Sequence, residues 1–262
     1  MNIQLTSKNA WVGAATQGIG AGIATELARC GANVTVMARN EEKLRDFTAS
    51  LPIVTEGQHH EYLVADFSDF KTFKDVISRY FDDHDIDILV NNTNGPKAGP
   101  AYGQETEEYQ AAFDLLFKTV CETTRLALPK MIERGGGRII NVSSSSVKEP
   151  IPNLALSNSI RTAVVAWSKT LSLEVAKHNV TINNILTGSF DTQRMKSLIS
   201  SEAEKTGRAA EDIRKEKEGK IPMKRFGTPE EYGHLAAFLA SDYAGYITGT
   251  SIPLDGGMSN TY

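Results

Sequence analysis

Val12-Gly13-Ala14-Ala15-Thr16-Gln17-Gly18-Ile19-Gly20 is the stretch whose reading decides the fold. It follows a β-type run, Asn9 to Val12, and opens a helical pattern, Ile23-Ala24-x-x-Leu27-Ala28. A strand that halts at glycines and restarts as a helix aims unpaired backbone N–H groups, and the positive end of the helix, at one spot that suits a phosphate. Gly18 and Gly20 lack the Cβ atoms that would hold a pyrophosphate away from the backbone. Glycines also cluster in ordinary turns, so the placement between strand and helix carries the signal.

Outward from this turn, strand and helix signals alternate. Strands are expected at Asn33–Ala38, His60–Asp66, Ile86–Val90, Arg138–Val142 and Val180–Leu186, with a last edge strand at Ser251–Gly257. Helical spacing covers Glu41–Ser50 and Phe70–Phe81, then two long stretches, Glu105–Arg134 with a break expected near Pro129, and Asn153–His178. Repeated βα units with strands this apolar predict an α/β fold: a doubly wound parallel sheet of Rossmann type, three-layered, covered by helices on both faces. No linker or composition shift interrupts the chain, so residues 1–262 are read as a single domain.

Composition narrows the function classes. With 262 residues, 40% of them hydrophobic, the chain can bury a full core. A net charge of −4 with interspersed signs gives no nucleic-acid surface. Cys30 and Cys121 fall inside helical patterns and read as reduced core residues, and no metal site is expected. Neither a signal-type apolar core nor a membrane-length apolar run is seen, so a soluble cytoplasmic protein without membrane contact is expected.

Ligands of open α/β sheets bind beyond the carboxyl ends of the strands. Those ends carry polar turns at residues 13–20, 38–40, 65–67, 91–95, 143–148 and 187–192. With the turns aligned, the chain resembles the short-chain dehydrogenase/reductase family, including its 3-oxoacyl-acyl-carrier-protein reductase-like members. The resemblance rests on Gly18-Ile19-Gly20, Ala65-Asp66, Asp87-Ile88-Leu89-Val90-Asn91-Asn92, and Gly137-Arg138-Ile139-Ile140-Asn141-Val142-Ser143-Ser144. Val180-Thr181-Ile182-Asn183, Arg225-Phe226-Gly227-Thr228-Pro229 and Leu254-Asp255-Gly256-Gly257 complete it in the family's order.

The resemblance implies a nicotinamide dinucleotide. Gly13, Gly18, Ile19 and Gly20 would form its pyrophosphate turn, with Thr16 and Gln17 as polar neighbours. Asp66, with Phe67 beside it, matches the adenine-contacting position, and Asn92-Thr93 the turn over the adenosine ribose. Gly188, Phe190 and Thr192 match the segment that grips the nicotinamide carboxamide. Relatives that use NAD(H) place an acid after the second strand; here Ala38 is followed by Arg39, whose fork suits a 2′-phosphate, and NADP(H) is favoured over NAD(H). Ala14 stands where the family turn has glycine, at a cost on the order of 1 kcal/mol if that residue needs positive φ, unless Gly13 absorbs the turn.

The catalytic positions depart further. The family pairs a serine with a tyrosine thirteen residues on, a lysine four beyond it, and an asparagine on the preceding long helix. Ser144 matches the serine, but Ser157 replaces the tyrosine and Arg161 the lysine, and the asparagine position falls near Leu116. A phenol with a pKa of about 10 can be drawn towards neutrality by a cation; a serine hydroxyl is far less acidic, and arginine holds its proton. Losing a placed general acid typically removes about 10²–10⁴-fold in rate. Ser157 and Arg161 share a helix face, where Arg161 could steady an oxyanion or hold a substrate carboxylate or phosphate. Lys148 is the nearest replacement proton donor in the loop after Ser144.

These residues point to an NADP(H)-dependent oxidoreductase interconverting a small carbonyl and alcohol, with an atypical proton donor. Two alternatives stand beside it: a dinucleotide-binding sensor without chemistry, and a non-redox enzyme resembling the halohydrin dehalogenases. The charged segment 193–222 fits a substrate lid. Apolar residues on several sides of the two long helices fit the homodimers and homotetramers that the resemblance implies.

Overall fold

The computed structural model describes residues 2–261. Seven strands form one sheet: β1 (Asn9–Gly13), β2 (Asn33–Ala38), β3 (His60–Val64), β4 (Ile88–Asn91), β5 (Gly137–Val142), β6 (Val180–Thr187) and β7 (Ser251–Leu254). They lie in the order β3-β2-β1-β4-β5-β6-β7, and every pairing is parallel. The order reverses between β1 and β4, which opens a crevice beyond their carboxyl ends.

Alternation along each strand divides the core between two faces. Ala10 and Val12 of β1 join Ile88 and Val90 of β4 in one apolar cluster, packed by Ile23, Leu27 and Leu44 from helices α1 (Gly18–Arg29) and α2 (Glu41–Ser50). Trp11 and Leu89 point the other way, into a cluster with Phe73 and Ile77 of α3 (Phe70–Asp83) and further residues of the later helices. The first face also receives Tyr232, Ala236 and Ala237. This is the expected single three-layered Rossmann domain.

Boundaries shift in instructive places. The long helical stretch does not break at Pro129. It runs as α4 (Thr106–Phe113), a π-helical turn at Asp114–Lys118, then α5 (Thr119–Glu133), which passes through Pro129. A π turn inserts one residue into the helical ladder, with no sequence signature comparable to proline's. The next helix, α6, covers Ala155–Val175, shorter than expected at both ends and extended by a 3₁₀ turn at Ala176–His178. Likewise β3 ends at Val64 and β7 at Leu254, where Asp66 and Asp255 bind following backbone N–H groups instead of continuing a ladder.

Residues 193–222 fold as the helices α7 (Gln193–Thr206) and α8 (Ala210–Gly219). Their apolar faces are narrow, and Ile199, Ile213, Ile221 and Phe226 make a satellite cluster separate from the main core. Helix α9 (Pro229–Ala240) begins with a Thr228/Glu231 capping box and a proline at its first position. Among the described residues no helix is long and apolar enough to cross a membrane, and Cys30 and Cys121 are half-buried free thiols.

Candidate active site

A cleft opens beyond β1, β4, β5 and β6, where the strand order reverses. Gln17, Gly18, Ile19 and Gly20 line one side of it. Ala14 adopts φ +48° and Gly18 φ +59°, while Gly13 is not in the positive-φ region, so alanine itself takes the left-handed position. The expectation that Gly13 would absorb the turn is therefore corrected. Gly20 has no room for a side chain: a Cβ there would lie 2.5 Å from the Ala14 carbonyl and 2.7 Å from the Asn92 amide nitrogen. Asn92 donates that amide to the Gly13 carbonyl at 2.9 Å, clamping the first strand's turn to the end of β4. The turn thus presents a cradle of bare backbone at Gly18 and Gly20 with the α1 N-terminus behind it, a geometry that suits a diphosphate.

The other expected cofactor positions are spread around this cradle. Thr93, Gly188, Phe190 and Thr192 line the cleft. Thr192 caps α7, accepting from the Met195 N–H at 3.3 Å, and its methyl lies across from Gly18. The Phe190 ring is buried edge-to-face on Tyr232, with centroids 5.3 Å apart. Arg39 lies exposed at the end of β2 and forms no ion pair among the described residues. Gly13, Thr16 and Asp66 fall outside the cleft lining. Phe67 is a correction: its ring is 4% exposed and packs on Phe73 beneath Gly13, so its side chain belongs to the core.

Opposite the cradle stand Ser144, Ser157 and Arg161. Beneath them a buried amide ladder ties the strand ends together. Asn91 donates to Asn141 at 2.9 Å and Asn141 to Asn184 at 3.0 Å, with Thr123, Thr124 and Ser168 satisfying the remaining groups. A network this fully paired fixes register and stiffens the floor. Ser144 sits at the end of β5, where its hydroxyl accepts from the Ser146 N–H at 3.2 Å and starts a 3₁₀ turn, Ser145–Val147.

Lys148, at the end of that turn, donates its N–H to the Ser145 carbonyl at 3.0 Å and is not among the residues that line the cleft.

Arg161 is half-buried, and its Nη1 donates to the Val142 carbonyl at 2.6 Å. Burial lowers its pKa to about 10, aided by repulsion from Arg194 and opposed by Tyr232; the guanidinium remains charged at neutral pH. Leu116, on the π turn, is 2% exposed and lines a small internal cavity with Val120, Ser143 and Arg161. An apolar side chain therefore occupies the place near which the family asparagine falls.

Several lining residues escaped the sequence reading. Arg194 stands on the rim, its guanidinium so close to Gly95 that a Cβ there would collide with it. Thr187 lines the cleft, and its hydroxyl is hydrogen-bonded at 3.0 Å to the buried Tyr232 phenol, whose pKa burial raises. Arg194 was hidden in a segment read only as charged. Tyr232 carries no local signal, since only the tertiary packing of α9 brings it under β6.

Comparison with known proteins agrees with this geometry. A family model described as enoyl-(acyl carrier protein) reductase matches residues 13–259. Oxidoreductase UcpA of Salmonella typhimurium is 34% identical over 98% of this chain and 96% of its own length. The chain belongs to the short-chain dehydrogenase/reductase family. Among solved structures, L-sorbose reductase from Gluconobacter frateurii, complexed with NADPH and L-sorbose, superposes with a TM-score of 0.93 at 27% identity, covering both chains completely. YwfH, an NADPH-dependent reductase involved in bacilysin biosynthesis, gives 0.91 at 29% identity, over 98% of this chain and all of its own.

Proposed function

We propose that this family member is an NADP(H)-dependent reductase or dehydrogenase interconverting a small carbonyl compound and its alcohol. The observation that carries the proposal is the cradle at Gly18–Gly20 facing Ser144 and Arg161 across one cleft. The missing Cβ at Gly20 and the clamp from Asn92 fit a dinucleotide diphosphate. Arg39, free of acidic partners, fits a 2′-phosphate better than a 2′-hydroxyl, and the NADPH named for L-sorbose reductase and YwfH supports the same preference. When bound, the nicotinamide supplies or accepts a hydride.

The chain's own groups then manage the oxygen and its proton. Ser144 Oγ donates a hydrogen bond to the substrate oxygen, and Arg161 stabilises the charge that develops there. No phenol stands in the cleft lining, and Arg161 keeps its proton, so water in the cleft delivers the proton to the oxygen. Ser157 orients that water. Helices α7 and α8, touching the cleft through Met195 and Leu198, act as the lid. A homo-oligomer paired through α5 and α6, in the cytoplasm, completes the proposal.

The test is loss of NADPH absorbance with purified protein across aldehydes, ketones and keto acids. Turnover that falls at least about tenfold in Ser144→Ala supports the proposal. NADPH binding without turnover of any substrate favours a sensor, an alternative motivated by the joint change at Leu116, Ser157 and Arg161. The intact cradle speaks against a non-redox enzyme, and NADP retained through purification would count further against one.

A further inference from the structure

The cleft holds two arginines that no carboxylate balances. The other arginines of residues 193–231 have acids beside them: Arg208 pairs with Glu216 at 2.8 Å, Arg214 with Asp191 at 2.9 Å, and Arg225 with Glu231. Lys97, a third cation on the rim, is taken by Glu108 at 2.7 Å. Among the described residues, Arg161 and Arg194 form no ion pair. Arg161 makes one hydrogen bond, to the Val142 carbonyl; its remaining N–H groups find no acceptor among the described residues.

This arrangement is costly without a ligand. Two like charges facing one cleft repel, and partial burial of Arg161 weakens its hydration. A single anion between them would relieve both effects. The two arginines are not equivalent, however. Arg194 lies two residues beyond Thr192, near the phosphate cradle, whereas Arg161 stands beside Ser144 and Ser157, where the reacting oxygen is placed.

We infer that the substrate is an anionic carbonyl compound, whose carboxylate or phosphate group is gripped by Arg161 and closed over by Arg194. The carbonyl part of this inference rests on the reductase reading; the anion part does not. A guanidinium fork matches a planar carboxylate in two parallel hydrogen bonds, which lysine at the family position cannot reproduce. The exchange of lysine for arginine at residue 161 thereby acquires a purpose: a substrate-holding charge in place of a proton-relaying one.

The experiment is calorimetric titration of oxamate, inorganic phosphate and a neutral amide into the protein, both alone and saturated with NADPH. Oxamate and phosphate separate the two anion chemistries. The expected result is that one of them binds the NADPH-saturated protein and the amide does not. Affinity should fall roughly 10–100-fold in Arg161→Gln and roughly 3–10-fold in Arg194→Gln, in proteins whose melting temperatures confirm folding. Arg161→Lys keeps the charge but not the fork, and should show an intermediate loss. The inference is overturned if neither anion binds, if both substitutions leave binding unchanged, or if NADPH displaces the anion completely, which would assign both cations to the cofactor's phosphates. Should the protein bind oxamate or phosphate through Arg161 but no NADPH, the anion site stands and the reductase reading falls.

Discussion

The two sides of the cleft are made of different material. The nucleotide side is backbone: the Ala14 and Gly18 turn, the bare Cα of Gly20, and carbonyls clamped by Asn92. The opposite side is side chains: Ser144, Ser157 and Arg161 on a floor of paired amides. A site built from backbone absorbs a substitution such as glycine to alanine at residue 14, because the N–H groups stay in place. A site built from side chains changes its chemistry with each replacement, which is the basis of the role proposed for Ser157 and Arg161. The proposed function is accordingly one in which the cofactor geometry is kept while the means of moving a proton is exchanged.

The contrast breaks hardest at Gly20. Gly20→Val would push into the Ala14 carbonyl and the Asn92 amide, and should weaken NADPH binding by at least about 100-fold, read by fluorescence titration. Ser157→Tyr attacks the other side: a phenol beside the Arg161 cation should raise carbonyl reduction by about 30-fold, short of a full general acid's ~10²–10⁴ because Leu116 supplies no polar support. No gain would show that proton delivery does not limit the rate. Arg39→Ala should weaken NADPH about tenfold and leave NADH unaffected.

Two smaller effects concern stability. A cation whose folded pKa, about 10, lies below its unfolded value of 12.5 weakens the fold at every pH below both, and the penalty fades only as the pH climbs through 10. Arg161→Met should accordingly raise the melting temperature by about 2–6 °C, by a constant amount between about pH 6 and 9, while abolishing anion binding. Ala14→Gly relieves the left-handed alanine, and should add on the order of 1 kcal/mol, about 2–4 °C in melting temperature, without altering NADPH affinity.

The fold was legible because its signals are local and periodic. The β2 and α2 limits match residue for residue, with α2 opened by an Asn40 cap that accepts from the Lys43 N–H. The nucleotide turn was legible for the same reason, being contiguous from Val12 to Gly20. The absence of a phenol and an amine at Ser157 and Arg161 follows from the family resemblance, with Thr162 to Lys169 setting the register. What could not be read depends on tertiary placement: the π turn at Asp114–Lys118, the Phe67 ring in the core, and Arg194 arriving over Gly95. None of these leaves a periodic or compositional trace.

The most direct measurement is a titration of the purified protein with NADPH and NADH, followed by nucleotide fluorescence. A competent cradle with Arg39 at its edge should give a saturable complex with both, at least about tenfold tighter for NADPH. Absence of a complex with either nucleotide would contradict the proposition that the phosphate turn has survived the loss of the phenol and the amine.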